Sequence, residues 1–194
     1  MVKIIFRNNK VINWVQKDEN YFRGWGFYGE TYYQDENAIN LFDLILHYGF
    51  EKIINEFNGN YSIIYKDKDK TIVTVDRIRS FPLFYVKYDN DVYVSDDIEK
   101  LVELTDEHKF ETGHVQELMA TGYVTGRKTL YKYIYQIQAG EYLIIDNKTG
   151  NIDIRNHYLH RHSYNCNKNS IELCEELDIV LLNVFRRLIK SVNG

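Results

Sequence analysis

Cysteine and proline are both scarce in this sequence, with two Cys and one Pro among 194 residues. Cys166 and Cys174 both lie near the C-terminus. Because nothing else in the sequence indicates secretion, we expect both to be reduced thiols and not disulfide partners. The sequence therefore predicts a cytoplasmic protein without a disulfide framework.

A net positive charge and long apolar runs are also absent. The formal net charge is −4, whereas nucleic-acid binding needs a clustered basic surface. No apolar run approaches the roughly 20 residues that span a bilayer, and the N-terminus lacks the apolar segment of a signal peptide. We therefore expect no nucleic-acid or membrane partner. The length and the 44% hydrophobic content predict one domain with a sizeable core and an appended helix.

Residues 57–85 carry the clearest pattern of secondary structure in the chain. Asn58-Gly59 tolerates positive φ, so we expect a helix end or a turn there. Two β-branched and aromatic runs, at residues 63–65 and 72–75, flank a polar segment and predict a hairpin. Pro82 cannot donate a ladder hydrogen bond, which places it at a strand start or a bend. A second hairpin is predicted to follow it, with its turn at Asp89-Asn90.

The rest of the chain alternates between strand and helix patterns. Further strands are predicted at residues 3–6, 11–15, 22–33, 134–137, 142–145 and 152–154. Helices are predicted at residues 37–48 and 50–57, around Leu101 and Leu118, and from a Ser170 cap to the end. Strands covered by helices on both sides suit a layered α+β sandwich.

Several motifs in this region follow an order that is found in a known family. They are Phe57-Asn58-Gly59 after a helix, an apolar strand at residues 61–67, and Asp76-Arg77 followed by Pro82-Leu83-Phe84-Tyr85. This order resembles the glutaminase-type domain of asparagine synthetases, which is a class II glutamine amidotransferase domain. Upstream, Tyr28-Gly29-Glu30-Thr31-Tyr32 resembles the Asn-Gly-Glu-x-Tyr strand of that family. The resemblance implies a four-layer αββα sandwich of the Ntn-hydrolase type.

The resemblance also implies a division of the chain. Residues 1–158 resemble the glutaminase domain. Residues 159–194 resemble the linker and amphipathic helix that lead toward an ATP-binding synthetase domain, which this sequence does not contain. ATP and Mg are the cofactors implied for that missing domain, and none is implied for this chain. The implied partner is the synthetase half, and a homo-oligomer is the other arrangement left open.

The residues that would perform the chemistry depart from the family pattern. A working glutaminase needs an N-terminal Cys, whose thiol attacks the glutamine carboxamide and whose α-amino group is the base. Position 2 here is Val, and neither cysteine lies near the N-terminus. Tyr28 stands where the family has the Asn that donates to the oxyanion, and losing such a donor costs roughly a hundredfold or more in rate.

Two further departures affect substrate binding. The acidic residue that holds the substrate α-amino group aligns with Asn37, with Asp35 as the nearby alternative. The segment before Gly29 is too short for the loop that carries the glutamine-binding Arg. The resemblance therefore implies no catalytic residue in this chain and a vestigial glutamine site at Tyr28, Gly29, Glu30 and Asn37.

These departures predict an inactive glutaminase-like domain of an asparagine-synthetase-related, ATP-dependent amide-forming ligase. The domain would act as a scaffold for the synthetase half, with the last helix carrying much of the contact. Related β-lactam synthetases and lasso-peptide cyclases resemble it in keeping the fold without the nucleophile. The alternative is a stand-alone module that uses the former glutamine cleft to bind a small molecule or a protein.

Four local patterns have competing interpretations. Gly24-x-Gly26-x-x-Gly29 fits a dinucleotide fingerprint, but the strand pattern around it favours a glycine-punctuated strand. His157, His160 and His162 lack zinc-ligand spacing, which favours a polar linker. Ser95-Asp96 is interpreted as a helix cap. Finally, Arg77 and Arg79 are candidate salt-bridge partners of Asp76, although Arg79 replaces a glycine usual in the family motif.

Overall fold

The computed structural model describes residues 1–7, 13–161 and 167–193. The chain divides into two compact units, Met1–Leu159 and His160–Gly194. The second unit contains one long helix, α5 (Ser170–Asn193). Part of the strand predicted at residues 11–15, together with His162 and Cys166, lies outside the described residues.

The first unit contains two β-sheets. The large sheet has the strand order β11-β10-β6-β5-β3-β2, with β4 paired to β3. Its strands are β2 (Val15–Lys17), β3 (Asn20–Tyr28), β4 (Thr31–Gln34), β5 (Asn58–Lys66), β6 (Lys70–Val75), β10 (Glu141–Asp146) and β11 (Ile152–Asn156). The small sheet has the order β1-β8-β7-β9. Its strands are β1 (Val2–Ile5), β7 (Phe84–Tyr88), β8 (Asp91–Ser95) and β9 (Tyr135–Gln136).

Four α-helices accompany these sheets in the first unit. They are α1 (Asn40–Tyr48), α2 (Phe50–Glu56), α3 (Ile98–Thr105) and α4 (Thr112–Thr121), and a 3₁₀ helix (Asp35–Ile39) precedes α1. The two predicted hairpins in residues 57–95 are confirmed. Asp89 and Asn90 both adopt positive φ in the second turn, as a two-residue hairpin loop requires. Pro82 lies just before β7, as predicted.

Three hydrophobic clusters define the layers. One joins α1 and α2 to the large sheet through residues such as Leu41 and Ile63. The second lies between the sheets and includes Ile64 and Val94, and the third joins the small sheet to α3. The order is therefore helix, sheet, sheet, helix, which confirms the predicted αββα sandwich. Ile63 and Ile64 face opposite layers, because successive side chains of a strand point to opposite faces.

Three assignments of local structure were wrong. Asn58-Gly59 begins β5 and makes no turn, because Phe57, the residue after α2, has a φ of −70° and an extended backbone. The single strand predicted at residues 22–33 is a hairpin of β3 and β4 with Gly29 in its turn. The cap of α5 is Asn169, not Ser170: Asn169 Oδ1 accepts the N–H groups of Ile171 and Glu172.

The salt bridges predicted for Asp76 were also wrong. Its carboxylate accepts three backbone N–H groups, from Tyr61, Ile78 and Ser80, at 3.0, 2.8 and 2.9 Å. Arg77 instead donates to the Asn55 carbonyl, and Arg79 donates to the Gln136 side chain. Asp76 therefore holds its loop through the backbone. In that loop, Arg79 keeps a φ of +59°, the conformation expected of the glycine that it replaces.

The register of the strands gives the sandwich two distinct ends. Phe27 pairs with Asn58, so the β3–β4 turn and the start of β5 share one end, named here the Tyr28 end. At the opposite end, Asp146 pairs with Lys70 and leads into the turn that contains Gly150. A Cβ on Gly150 would lie 3.5 Å from the carbonyl oxygen of Asn90, which places the β7–β8 turn at this end, named the Asp91 end.

The first strand begins at the Asp91 end. β1 runs parallel to β8, with Val2 opposite Val92 and Ile5 opposite Ser95. The N-terminal amino group bonds to Asp91 at 2.7 Å, and Lys3 Nζ bonds to the same carboxylate at 2.6 Å. β1 and β2 thus lie in different sheets and do not form a hairpin with each other.

Candidate functional site

The predicted glutamine positions Tyr28, Gly29 and Glu30 form the β3–β4 turn. Tyr28 ends β3, and Gly29 has a φ of +58° with open space around its Cβ position. The Tyr28 hydroxyl lies near the Glu56 carboxylate at the end of α2. Partial burial, and then the Glu56 carboxylate, raise the pKa of Tyr28. The turn therefore presents a neutral phenol beside a carboxylate.

Asn37, the fourth predicted position, has a local structural contact. Its Oδ1 accepts the Gln34 N–H at 2.8 Å, and its Nδ2 donates to the Tyr32 carbonyl at 3.1 Å. The bond from the Gln34 N–H caps the start of the 3₁₀ helix. Tyr28 lies near Glu56 of α2, whereas Asn37 bonds to the backbone beside β4, so the two side chains serve different local structures. A glutamine site at these positions stays a prediction.

A buried ionic cluster fills the space between the sheets on the side of the Tyr28 end. Arg23 Nη1 of β3 lies 2.7 Å from Asp96 Oδ2, just after β8, and the two side chains are 13% and 2% exposed. The same carboxylate accepts the Trp14 indole N–H at 2.9 Å and the Arg7 backbone N–H at 2.8 Å. The Arg23 guanidinium lies over the Phe81 ring, 5.2 Å from its centroid. The cluster joins both sheets and the segment before β2.

No local pattern in the sequence predicts this cluster. Arg23 and Asp96 lie 73 residues apart along the chain, and the interpretation of Asp96 as a helix cap was wrong. Asp97 has that role, because its carboxylate accepts the Glu99 N–H at 3.1 Å at the start of α3. Only the pairing of the two sheets brings Asp96 to Arg23.

A second buried carboxylate holds the segment before β10. Glu141 is 5% exposed and accepts two bonds from Arg127, at 3.0 and 2.5 Å. It also accepts the Gln138 backbone N–H. The Glu141 contact raises the pKa of Arg127. This bidentate pair has a structural role, because both oxygens of the Glu141 carboxylate already accept hydrogen bonds.

The described cavities lie away from the predicted glutamine positions. One of 470 Å³ lies beside α4 and is lined by Glu111, Gly113, His114, Glu117, Lys128, Lys132 and Tyr135. Another of 370 Å³ lies beside the β10–β11 turn. The first carries two acidic and two basic side chains, so its lining is close to neutral in charge.

Neither a metal centre nor a membrane helix is found in the described residues. No group of three or more His, Cys, Asp and Glu within residues 1–7, 13–161 and 167–193 could hold a metal ion. His157, proposed as part of a polar linker, is instead half-buried, with Nε2 2.9 Å from the Val75 carbonyl. In the same ranges, every helix is too short or too polar to cross a membrane.

The glycines of the dinucleotide-like motif have structural roles. Gly24 has a φ of +104°, and a Cβ there would meet the Asn60 carbonyl at 2.1 Å. A Cβ on Gly26 would meet the Phe57 ring at 2.6 Å. Both lie within β3, which confirms the glycine-punctuated strand.

The chain is similar to a protein family and to solved structures. A family model described as "Glutamine amidotransferase domain" matches residues 14–158, and no curated protein matches the chain significantly. Among solved structures, glutamine phosphoribosylpyrophosphate amidotransferase from B. subtilis, complexed with ADP and GMP, is similar with 11% identity and a TM-score of 0.46. A structure described as the allosteric regulatory enzyme of purine biosynthesis has 13% identity and a TM-score of 0.40.

Each structural match covers 75% of this chain, but only 31% and 30% of the solved chains. The chain thus spans about a third of the length of those proteins. The family model, in contrast, covers most of the first unit and both of its sheets except for β1. The chain therefore belongs to the glutamine amidotransferase domain family.

Proposed function

We propose that this glutamine amidotransferase domain does not hydrolyse glutamine. It serves as a scaffold in an asparagine-synthetase-related, ATP-dependent amide-forming ligase. The direction of β1 is the observation that carries the proposal. An N-terminal nucleophile must lie beside the donors that stabilise the oxyanion. Here the start of β1 lies at the Asp91 end, whereas Tyr28-Gly29-Glu30 lies at the opposite end.

The chemistry available in the first unit supports the same proposal. The sequence has no cysteine before residue 166, so residues 1–159 offer no thiol. Val2 is buried in the apolar cluster between the sheets. The Tyr28 hydroxyl, at the place of the family's amide donor, lies near the Glu56 carboxylate. A negative charge beside that hydroxyl disfavours the development of an oxyanion there.

The Arg23–Asp96 cluster occupies space that an open substrate cleft between the sheets would need. It places a guanidinium, a carboxylate and the Trp14 indole between the sheets on the side of the Tyr28 end. Opening that space would leave buried charges without partners, which is costly. The cluster favours a rigid framework over an open substrate cleft.

A scaffold role agrees with the contrast between the core and the former site. Apolar clusters hold each pair of adjacent layers together, while the positions of the glutamine chemistry differ from the family pattern. In this proposal ATP and Mg bind to the synthetase half, whose residues are not in this chain. That half activates a carboxylate by adenylation and joins it to an amine.

Ammonia release from glutamine tests the inactivity. The purified chain should release no more ammonia than a buffer blank, with a working glutaminase assayed in parallel as the positive control. Sustained release in proportion to the amount of chain would refute the proposal.

The coding sequence downstream of residue 194 tests the ligase assignment separately. The proposal expects a Ser-Gly-Gly-x-Asp-Ser loop there, which would bind the ATP pyrophosphate through backbone amides. A stop codon directly after Gly194 would refute the ligase and leave the inactivity to be judged by the ammonia assay alone.

A further inference from the structure

Helix α5 carries an apolar stripe that is exposed along its length. With 24 residues, it is about 36 Å long. Large apolar residues recur every three or four positions on one face, and Ile171, Leu182, Phe185 and Ile189 are exposed outside that face. The stripe comprises Leu173, Leu177, Val180, Leu181, Val184 and Leu188, which are between 43% and 56% exposed. A contiguous apolar face of this length marks an association surface.

The charges of α5 are separated along its axis. Its first half contains Glu172, Glu175, Glu176 and Asp178, and its second half contains Arg186, Arg187 and Lys190. Between two copies of the helix, the acidic half of one is therefore complementary to the basic half of the other. Two acidic halves, or two basic halves, repel each other. The helix dipole favours the same order of charges within one helix.

We propose that α5 pairs with α5 of a second copy of this chain in antiparallel orientation. A two-fold axis near Leu181 makes the contact isologous, so each copy uses the same surface. In this register Glu176 of one copy lies beside Arg187 of the other, on the same flank of the stripe. A parallel pair would instead place Glu176 beside Glu176.

The stripe and the charges have different roles in this pair. Burial of the leucine and valine side chains drives association. Exposed ion pairs contribute little affinity, but juxtaposed like charges disfavour the wrong orientation. The inference uses only the residues of α5, and it replaces the expectation that this helix carries the contact with a synthetase half.

Sedimentation of the whole chain over a range of concentrations tests the pairing. The wild-type chain should be a reversible dimer, and Leu181→Glu should be monomeric. Ile179→Glu is the matched control. Ile179 is 60% exposed and lies two positions away on the opposite face, so this variant should remain dimeric. A wild-type chain that is monomeric at every concentration would overturn the proposal, whatever else covers the stripe.

A charge exchange tests the pairing without altering the stripe. Arg187→Glu should weaken the dimer about fivefold or more, and adding Glu176→Arg to it should restore the wild-type dissociation constant. Circular dichroism verifies that both variants keep the helix. Equal dissociation constants for all three chains would contradict the antiparallel register.

Disulfide trapping determines the orientation. In a Cys166→Ser, Leu188→Cys chain, oxidation should join Cys174 of one copy to the thiol at position 188 of the other. Antiparallel pairing separates the two Cys174 residues by about 21 Å, far beyond the Cα separation of a disulfide. Peptide mapping that finds mainly Cys174–Cys174 bonds would establish a parallel pair and overturn the proposal.

Discussion

Asp96 and Asp91 are two aspartates at opposite ends of the same strand, with different surroundings. Asp96 is buried with Arg23, whereas the partners of Asp91 are the exposed N-terminal amino group and Lys3. We expect Asp96→Ala to cost about 3–5 kcal/mol of unfolding free energy, because it leaves a buried guanidinium without a counter-charge.

Urea denaturation measures that loss, with Asp91→Ala as the matched control. Asp91→Ala should cost far less, since water screens its exposed partners. Similar losses for the two variants would show that the Arg23–Asp96 pair does not stabilise the sandwich.

Arg79 is a non-glycine residue in the left-handed region, with a φ of +59°. Arg79→Gly and Arg79→Ala both remove the contact with Gln136, but only Ala keeps the Cβ that is crowded in this conformation. The glycine variant should therefore be more stable than the alanine variant by about 1 kcal/mol. Chemical denaturation of the pair checks this difference. An alanine variant that is as stable as the glycine variant would mean that the loop relaxes to another conformation.

His157 makes the stability of the first unit depend on pH. Burial lowers its pKa, although the Val75 carbonyl opposes the shift. Below the unfolded pKa of about 6.5, the unfolded chain takes up a proton that the folded chain resists. The contribution of neutral His157 is therefore fully present above that pH and declines as the pH falls below it.

The variant His157→Gln isolates this titration from the other groups of the chain. We expect the stability difference between wild type and His157→Gln to shift in favour of the variant as the pH is lowered from about one unit above that pKa to about one and a half units below it. Denaturation midpoints across this range provide the measurement. A difference that is constant with pH would show that His157 is freely protonated in the fold.

The pairing of β3 with β5 depends on Gly59. A Cβ at this position would lie 2.2 Å from the Trp25 carbonyl oxygen and 2.3 Å from the Gly26 Cα. Gly59→Ala should therefore cost about 3 kcal/mol, because neither backbone can move without breaking the ladder. Gly29→Ala is the control: its surroundings are open, so only the left-handed backbone costs energy, about 1 kcal/mol. Denaturation curves that rank the two variants in the reverse order would contradict this account.

Elements with a strong local pattern could be predicted from the sequence. The hairpins in residues 57–95 have apolar runs separated by polar turns, and α1 and α2 have helical spacing that ends at Gly49 and Phe57. Asn58-Gly59 was misassigned because an Asn-Gly pair looks the same in the sequence in two situations. Its glycine can make a turn, or it can let a neighbouring strand approach closely. Only the partner strand distinguishes these cases.

The candidate site was less predictable for the same reason. Tyr28, Gly29 and Glu30 fall in one turn, as their adjacency requires. The Arg23–Asp96 and Arg127–Glu141 pairs depend on contacts between distant segments, and a charged residue in the sequence looks the same whether it is solvated or buried. The direction of β1 was equally hidden, because a strand of three apolar residues and one lysine at a sheet edge fits either orientation.

At the scale of the whole molecule, the two compact units predict two separable unfolding events. Trp14 and Trp25 are the only tryptophans and both lie in the first unit, so tryptophan fluorescence reports that unit alone. The fluorescence transition should be independent of protein concentration. Part of the helical circular dichroism signal should depend on concentration, because α5 pairing is bimolecular. Fluorescence and dichroism transitions that coincide at every concentration would contradict this expectation.

The direction of β1 also limits how far substitutions could introduce glutaminase activity into this domain. A cysteine introduced at Val2 would place its thiol in the apolar layer at the Asp91 end, remote from Tyr28. Replacing Tyr28 with asparagine would supply a donor with no nucleophile beside it. If the domain is inactive as proposed, side-chain substitutions at these two positions should therefore not produce a glutaminase. An active site at the Tyr28 end would instead require the edge strand of the small sheet to run in the opposite direction, which is a change of chain connectivity and not of side chains.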